Sequence, residues 1–216
     1  MSASLPNEDQ HLRLFILGGK GRTGRPLIQQ ALARGHQVTA LLRSPEKFGP
    51  PLQGMTIRQG DAQALTTLRE TLPGHDAVIS ALGAPGLGPS TNLRKSAESL
   101  VAAMQATGPR RLLVVSMGAL FPDAGLVAAI LRKTFLRNVA EDSAEMERII
   151  THSGLDWTIV RPPRLTNGPL QARYSVKDNG LPKGGKSLPR ADLAHFLLAE
   201  VERNQHLRCI VGMAST

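Results

Sequence analysis

The stretch LRLFILGGKGRTGRPLIQQALARG (12–35) decides the fold. Its first part, LRLFIL (12–17), is an aliphatic run that predicts a buried strand, and the glycine-rich turn GGKGRTG (18–24) follows at once. The next residues, about 23–34, have the apolar spacing of a helix, and Gly35 marks its C-terminal side. A strand, a tight glycine turn and a helix in this order are typical of the first βαβ unit of a parallel sheet.

The same alternation continues along the chain. Helical patterns at 63–71 and 91–107, and a long one that ends at His152 and breaks near Asn138, lie between further apolar runs. Beyond Pro162 the pattern loosens, with a short strand at 172–177 and a helix at 190–203. The other predicted strands are 37–43, 55–60, 77–80, 111–116, 157–161 and 207–211. We therefore expect an α/β fold of the Rossmann type, a doubly wound parallel sheet covered by helices on both faces.

Composition limits the classes of function. The chain has 216 residues, enough for one domain with a well-buried core, and carries a net charge of +9. Such a surplus favours polyanions, which include phosphorylated cofactors and nucleic acids. With only five Phe, one Trp and one Tyr, however, the chain is poorly equipped to stack unpaired bases. We therefore expect a small-molecule partner and not nucleic acid.

Targeting and redox signals are few. The first eleven residues are polar, so we expect residues 1–11 to be a flexible tail and 12–216 to be one domain. No apolar run reaches the eighteen or so residues of a membrane helix, so no membrane partner is expected. Cys209 is the only cysteine, which excludes a disulfide framework and a cysteine metal site. A cytoplasmic protein without a metal is the expectation.

The glycine loop has the spacing of a dinucleotide site. Gly18 allows the tight turn, Gly21 lets the backbone approach a pyrophosphate, and Gly24 lets the helix pack close to the strand. Arg22 and Thr23 complete the loop at the helix N-terminus, whose N–H groups and partial positive charge attract phosphate. An empty structural turn is the alternative, but the strand before the loop and the helix after it favour dinucleotide binding.

The end of the second strand indicates whether the bound nucleotide is NAD or NADP. An acidic residue there would accept hydrogen bonds from a ribose 2′-hydroxyl and repel a 2′-phosphate. This strand ends in Leu42-Arg43-Ser44, and Arg43 can pair with the phosphate while Ser44 donates a hydroxyl. NADP(H) is therefore the predicted cofactor, although an arginine that merely ends a strand in solvent is the alternative.

Two further strand ends are expected to line the cofactor site. Asp61 and the backbone N–H of Ala62, after the third strand, are positioned to hold the adenine edge. Asp61 is equally suited to cap the helix predicted at 63–71. After the fourth strand, Ala81, Leu82 and Gly83 either line the adenine ribose and diphosphate crevice or form a simple glycine turn.

The whole set of motifs resembles an atypical short-chain dehydrogenase of the NAD(P)H-binding group. That group includes the NmrA-like proteins and the flavin reductase/biliverdin IXβ reductase family. The resemblance extends over nearly the whole chain, through LFILGGKGRTG, LLRSPEKF, GDA, AVISALG, VVSMGA, SGLDWTIVRPPRLTNGP and SLPRADLAHFLL. It implies a Rossmann core with a small C-terminal substrate lobe, mainly 162–190, with NADPH as hydride donor and planar acceptors such as flavins.

The resemblance also implies an active-site serine at Ser116, the end of the fifth strand, with a local turn cap as the alternative role. Carboxyl ends of parallel strands face the ligand crevice, so Ser116 and Met117 are expected to meet the nicotinamide and the substrate. Pro162 and Pro163 are expected to leave their carbonyls for the nicotinamide carboxamide. Arg164 and Leu165 are the substrate residues beside them.

The chain departs from the usual dehydrogenase pattern on the helix before the sixth strand. The positions of the Tyr-x-x-x-Lys pair hold Val139 and Ser143 here, so carbonyl–alcohol interconversion by that pair is not expected. Ser143 and Arg164 stand where the biliverdin reductase pattern has histidines. Ser143 is counted with the substrate residues for this reason, and biliverdin is a doubtful natural substrate.

Three functions follow as hypotheses. The first is an NADPH-dependent reductase that transfers hydride to a flavin, a quinone or a similar planar acceptor. The second is a non-catalytic NADP(H) sensor of the NmrA type, which the missing Tyr and Lys favour. The third is a nucleic-acid binder that depends on the positive charge. The resemblance leans toward a monomer.

Overall fold

The computed structural model describes residues 11–184 and 186–216, so most of the predicted tail, residues 1–10, lies outside the described residues. Within them the chain forms ten strands and six α-helices. In chain order these are β1 (Arg13–Leu17), α1 (Gly24–Ala33), β2 (Gln37–Leu42), β3 (Met55–Gln59), α2 (Leu65–Thr71), β4 (Ala77–Ser80), α3 (Asn92–Thr107), β5 (Arg111–Val115), α4 (Leu126–Lys133), α5 (Arg137–Thr151), β6 (Asp156–Arg161), β7 (Arg164–Thr166), β8 (Tyr174–Asp178), β9 (Ser187–Pro189), α6 (Arg190–Arg203) and β10 (Cys209–Ser215).

Eight strands form one sheet in the order β3-β2-β1-β4-β5-β6-β10-β8, and every neighbouring pair is parallel except β10 and β8. The first six strands have the order of a Rossmann fold. The direction of strand succession reverses between β1 and β4, which opens a crevice at the carboxyl ends of these strands. The Rossmann-type α/β prediction is confirmed.

The surroundings of strand β1 explain why residues 14–17 form a continuous apolar run. Leu14 and Ile16 face one side of the sheet and pack in the core that α1 and α6 cover. Phe15 and Leu17 face the other side and pack in the core under α2, α3 and α5. All four side chains are almost fully buried. A strand covered on both faces has no position for a polar residue, so its sequence does not alternate between apolar and polar residues.

The structure corrects several element boundaries. The long helical pattern that ends at His152 is broken at 134–136, a few residues before the predicted position near Asn138, and two short 3₁₀ turns precede α4. The last strand is Cys209–Ser215, whereas 207–211 was predicted. The part of β10 beyond residue 211 pairs with β8. This contact joins segments that are far apart in the chain, so the local sequence pattern could not predict it.

The segment 162–190, expected as a lobe, is divided between two sheets. Its strand β8 joins the main sheet at the edge, antiparallel to β10. The short strands β7 and β9, for which the sequence pattern predicts no strand, pair with each other in a separate parallel sheet. Strand β9 leads directly into α6, and this connection anchors the segment to the core. Among the described residues, no helix is both long enough and apolar enough to cross a bilayer.

Helix α3 begins on a buried carboxylate from another helix. Both oxygens of Asp142, on α5, accept backbone hydrogen bonds, from Leu93 at 3.1 Å and from Arg94 at 3.0 Å. These N–H groups belong to the first turn of α3, which has no partner for them within the helix. A negative charge also lies favourably at the positive end of the helix dipole. Asp142 therefore joins the two helices whose contact covers the β4–β5 side of the sheet.

We expect Asp142→Ala to lower the free energy of unfolding by roughly 2 kcal/mol, because the cap is lost and two buried N–H groups are left without a partner. Urea denaturation followed by circular dichroism measures this change. Glu141→Ala is the matched control, since Glu141 is an exposed neighbour that pairs with Arg137 on the same helix. An equal, small effect of both substitutions would contradict the capping role.

Candidate cofactor and active site

A cleft of about 380 Å³ lies at the carboxyl ends of β1, β2, β3 and β4. Its position is the crevice in which open α/β sheets bind ligands. The structure brings together nine of the predicted site residues in its lining: Gly18, Gly21, Arg43, Ser44, Asp61, Ala62, Ala81, Leu82 and Gly83. Arg22, Thr23 and Gly24 are outside that lining, with Thr23 and Gly24 buried beneath the loop and Arg22 exposed.

The glycine loop needs glycine for steric reasons. Gly18 has φ of +76°, and a Cβ there would lie 2.5 Å from the carbonyl oxygen of Ala81. The carbonyl of Gly18 accepts a hydrogen bond from the backbone N–H of Gly21 at 2.8 Å, which closes the turn. A Cβ on Gly24 would collide with the backbone of Gly18 and Gly19. The loop is therefore a bare backbone surface, with the N-terminus of α1 directly behind it.

Cationic and polar side chains stand at one end of the cleft. Arg43 is exposed directly after β2, and half-buried Ser44 follows it. Lys20 of the glycine loop also lines the cleft. Asp61 is the acidic residue of the lining, and it follows β3 on the neighbouring strand end. The end of β2 therefore offers a guanidinium and a hydroxyl, and the glycine loop adds the ammonium group of Lys20 to the lining.

Asp61 does not cap α2, which was the second role that the sequence predicted for it. Its Oδ1 accepts a hydrogen bond from the backbone N–H of Gln63 at 2.9 Å, which closes a local turn. Helix α2 begins only at Leu65, and the residue at its N-cap is Ala64, without a side-chain bond. The cap alternative is therefore wrong because the helix starts two residues later than the predicted 63.

Sequence reasoning missed the side of the cleft that α3 provides. Asn92, Leu93 and Ser96 of its first turns line the cleft. The amide of Gln63, another lining residue, donates to Asn92 Oδ1 at 3.2 Å. The sequence signal was present, because a polar Ser-Thr-Asn run directly before a helix that follows β4 marks a helix N-terminus at the crevice.

Ser116 belongs to a network at the carboxyl end of β5. Its hydroxyl donates to Glu147 Oε1 at 2.5 Å, and Glu147 is buried on α5. Arg161, at the end of β6, donates to both Glu147 oxygens, at 3.0 and 2.5 Å. The Arg161 guanidinium also stacks on the Phe121 ring at 4.6 Å. Strand-end residues from β5 and β6 are thus joined through one carboxylate.

This network fixes the direction of the Ser116 hydroxyl. A carboxylate paired with a guanidinium accepts hydrogen bonds and donates none. The proton of Ser116 is therefore engaged by Glu147, and only the lone pairs of Oγ remain for a ligand. Neither Glu147 nor Arg161 was identified from the sequence, because their partners are 31 and 14 residues away along the chain.

The predicted substrate and nicotinamide residues differ in how far they are exposed. Ser143 is only 2% exposed, so its side chain is removed from any surface that a substrate could touch. Pro162 is buried, and its carbonyl accepts the backbone N–H of Gly118 at 2.8 Å, so one of its two lone pairs is already used within the protein. Half-buried residues at these strand ends are Met117, Pro163 and Leu165, and Arg164 is exposed as the first residue of β7.

Arg190 is another residue that the sequence analysis did not identify. Its guanidinium donates to the carbonyl of Leu165 at 3.2 Å and to Asn167 Oδ1 at 2.7 Å, which ties the start of α6 to β7. Burial lowers the pKa of Arg190, and the like charge of Arg22 in the glycine loop lowers it further. An anion bound near both guanidinium groups would relieve this like-charge repulsion.

Other reactive side chains lie outside this cleft. Tyr174 and His195 share a hydrogen bond of 2.7 Å, and burial raises the pKa of Tyr174 and lowers that of His195. Burial, together with the charge of Asp178, raises the pKa of Cys209 to about 11, which leaves the thiol unreactive at neutral pH. Among residues 11–184 and 186–216, no cluster of His, Cys, Asp and Glu has the form of a metal site.

Comparison with known proteins places the chain in a family. The model of the NAD(P)H-binding family matches residues 18–204, most of the chain. The chain belongs to the NAD(P)H-binding family. The match begins at Gly18, the glycine that the cleft requires, and extends through Arg190 to the end of α6.

The chain is similar in sequence to several proteins, one of them without a described function and others with named functions. The chain is 28% identical to protein YwnB of Bacillus subtilis over 208 residues, which cover 90% of this chain and 94% of YwnB. It is 29% identical to the photosystem II assembly factor Ycf39 of Synechocystis over 88% of this chain, but spans only 59% of that protein. The (4-alkanoyl-5-oxo-2,5-dihydrofuran-3-yl)methyl phosphate reductase of Streptomyces griseus is 27% identical over 169 residues, which cover 78% of this chain and 53% of that protein.

Solved structures agree on the fold of the NAD(P)H-binding family. A Rossmann-fold NAD(P)-binding protein of Shigella flexneri superimposes with a TM-score of 0.73 at 25% identity, covering 95% of this chain and 94% of that one. A Streptococcus pneumoniae protein provisionally described as an NADH-flavin reductase gives 0.78 at 23% identity over 95% and 100% of the chains. A Veillonella parvula short-chain dehydrogenase/reductase solved with NADP gives 0.79 at 18% identity over 95% of both chains. The last two similarities show the fold alone.

Proposed function

We propose that this chain is an NADPH-dependent reductase that transfers hydride to a planar redox acceptor such as a flavin or a quinone. Its cofactor site is the cleft beside Gly18, and its acceptor site is the strand-end region around Ser116. We assign residues 12–216 to one domain, in which 162–190 forms most of the acceptor side. The chain acts as a monomer in the cytoplasm, where NADPH is the reductant.

The observation that carries the proposal is the bare backbone cradle at the glycine loop. Neither Gly18 nor Gly24 extends a side chain from the loop, and the N-terminus of α1 follows it directly, so backbone N–H groups are available to a diphosphate. A diphosphate held at the loop would also ease the like-charge repulsion between Arg22 and Arg190. These features fit a dinucleotide.

The end of β2 supports NADP over NAD. Arg43 and Ser44 line the cleft where an acidic residue would select a ribose 2′-hydroxyl. The guanidinium can pair with two phosphate oxygens at once, and the serine adds a hydroxyl donor. Asp61 and Ala62 on the next strand end then hold the adenine edge, and Ala81, Leu82 and Gly83 hold the ribose and diphosphate side.

The acceptor side supports hydride transfer without a proton-donating residue of the protein. Bound NADPH supplies the hydride, and Ser116, through its free lone pairs, orients a donor N–H of the nicotinamide amide or of the acceptor. A flavin or a quinone accommodates the negative charge in its conjugated ring system, so water suffices as the proton source. Met117, Pro163, Arg164 and Leu165 border the space above this position, and Arg164 suits an acceptor with an acidic group.

Steady-state oxidation of NADPH with FMN, FAD, riboflavin and simple quinones tests the proposal directly. We expect turnover with at least one of these acceptors and tighter binding of NADPH than of NADH. Binding of NADP⁺ and NADPH without turnover on any acceptor would contradict the reductase and support the sensor function. Retention on DNA at physiological salt would support the nucleic-acid hypothesis.

The cofactor preference is expected to depend on Arg43. A charge-assisted hydrogen bond contributes about 1.5–3 kcal/mol, or roughly 10- to 100-fold in affinity, so Arg43→Ala should remove most of the NADPH preference. NADH affinity should change little, because NADH has no 2′-phosphate. Titration of both nucleotides at low and high salt measures the effect, and salt should weaken NADPH binding more in the wild type.

Arg148→Ala is the matched control for Arg43, since Arg148 is an exposed arginine on α5 that pairs with Glu145. It should leave both nucleotide affinities unchanged. Equal weakening of NADPH and NADH by Arg43→Ala would mean that the residue serves the adenine stack or the fold, and the assignment of NADP would lose its main support.

Ser116 is expected to position the reactants and not to donate the proton. Ser116→Ala removes one hydrogen bond, so hydride transfer should slow roughly 3- to 10-fold, with kcat falling more than KM rises. The dependence of kcat on pH should keep its wild-type shape, because the proton comes from water. Stopped-flow kinetics with deuterated NADPH over a range of pH values measure both quantities.

A loss of about 1000-fold in Ser116→Ala, or a pH limb that disappears with the hydroxyl, would identify Ser116 as the acid and contradict this role. Ser116→Thr is the conservative variant. It keeps the hydroxyl that donates to Glu147 and should restore most of the lost rate.

A further inference from the structure

Helix α4 presents its large aliphatic side chains to the outside of the molecule. Leu126 is 77% exposed, Val127 73%, Ile130 54% and Leu131 39%, and Phe135 directly after the helix is 73% exposed. No residue of α4 is buried. We call Leu126, Val127, Ile130, Leu131 and Phe135 the α4 apolar face.

The orientation of α4 is inverted relative to an ordinary surface helix. At about 100° per residue, Leu126, Val127, Ile130 and Leu131 lie on one side of the helix. Ala128, Ala129 and Arg132 lie on the opposite side and are half-buried. A helix that packs on a core normally turns its large apolar residues inward and its small or polar residues outward. The small residues of α4 therefore form the contact with the protein, and the large ones are left for a partner.

The apolar face has a positively charged surround. Between residues 124 and 140 the chain contains Arg132, Lys133 and Arg137 but neither Asp nor Glu. Asp123, just before this stretch, forms an ion pair with Lys177 at 3.1 Å, and Glu141, just after it, pairs with Arg137 at 2.9 Å. Arg132 and Lys133 therefore favour a partner that is apolar within and negatively charged at its surface.

A second copy of this chain matches these properties poorly. A two-fold contact through antiparallel α4 helices would set the cations at the end of each helix against the apolar start of the other, and Asp123, the acid nearest in sequence to that start, is already paired with Lys177. Five exposed side chains also form a patch of only a few hundred Å², whereas a stable interface needs about 800 Å² per partner. A bilayer with anionic headgroups supplies both the apolar interior and the negative charge.

We propose that the α4 apolar face docks this protein peripherally on anionic membranes. The leucines, the isoleucine and Phe135 enter the boundary between headgroups and acyl chains, and Arg132 and Lys133 lie at the headgroups. The absence of a membrane-length apolar run, on which the expectation of no membrane partner depended, has no bearing on such a surface contact. The proposal does not depend on the reductase function, because binding to lipid can be measured without turnover.

The position of α4 adds a consequence for the site. Its nearest contacts include the 3₁₀ turn Gly118–Leu120, which follows Ser116 and Met117 at the carboxyl end of β5. The surface that meets the bilayer is thus next to the acceptor side of the protein.

Cosedimentation of the full-length protein with vesicles tests the proposal. One set of vesicles is phosphatidylcholine alone, and the other contains about 30 mol% phosphatidylglycerol, an anionic lipid. We expect at least about tenfold stronger partitioning onto the anionic vesicles, and this excess should fall as salt rises. No partitioning onto anionic vesicles would overturn the proposal and leave an acidic protein surface as the occupant.

Two double variants separate the apolar and the electrostatic contributions. Leu126→Gln with Ile130→Gln should weaken binding to anionic vesicles about tenfold or more. Arg132→Gln with Lys133→Gln should lower it by roughly 10- to 30-fold, since each cation contributes about 1 kcal/mol near an anionic surface. Binding to phosphatidylcholine vesicles should change little in this second variant.

Leu52→Gln with Leu207→Gln is the matched control, because these leucines are 45% and 49% exposed elsewhere on the surface. Circular dichroism and NADPH titration verify that each variant is folded. Wild-type lipid binding in the Leu126/Ile130 variant would overturn the proposal. So would a dimer, found by light scattering without lipid, that the same variant dissociates, because the second copy would then be the occupant.

Discussion

The contact between Gly18 and the carbonyl of Ala81 is the constraint on which the functional end of the molecule depends. Strands β1 and β4 are hydrogen-bonded neighbours up to Leu17 and Ser80. Beyond that point the chain of β1 must turn away while it stays against the end of β4, which only a residue without Cβ at positive φ achieves. The turn directs the loop toward α1 and leaves the crevice open. Most of the other lining residues lie at a strand end or a helix start around this opening, and the rest belong to the connecting loops.

The two ends of the sheet have different roles. At the amino ends of the strands, Arg111 donates to Glu200, to the carbonyl of Asp156 and to Asn204, while His206 also contacts Glu200. These buried polar groups satisfy one another and leave little for a ligand. At the carboxyl ends, Lys20, Arg43 and Arg164 are exposed, and the glycine backbone is bare. The positive charge of the chain is therefore partly committed to structure and partly presented at the ligand edge.

The sequence predicts what depends on local pattern and misses what depends on distant partners. The glycine loop, Arg43-Ser44 and Ala81-Leu82-Gly83 are predictable because a strand end in a parallel sheet has a known position relative to the crevice. Glu147 and Arg161 are not, because two charged residues within an amphipathic helix and a strand look like surface positions until the fold pairs them. Ser143 was misplaced for a related reason. Counting along α5 gives its distance from the sixth strand, but the packing of α5 on α3 decides which side chains point inward.

The pairing of Glu147 with Arg161 also limits the chemistry that this end of the sheet can perform. Removing either partner would leave an uncompensated buried charge, so the pair persists as a unit, and its carboxylate holds the Ser116 proton. A ligand that needs a hydrogen bond at this point must bring the donor itself, as a carboxamide or a ring N–H does. A substrate carbonyl that needs protonation as it accepts hydride finds no such donor in Ser116. The proposed reductase function therefore requires an acceptor whose own ring system stabilises the added electron pair.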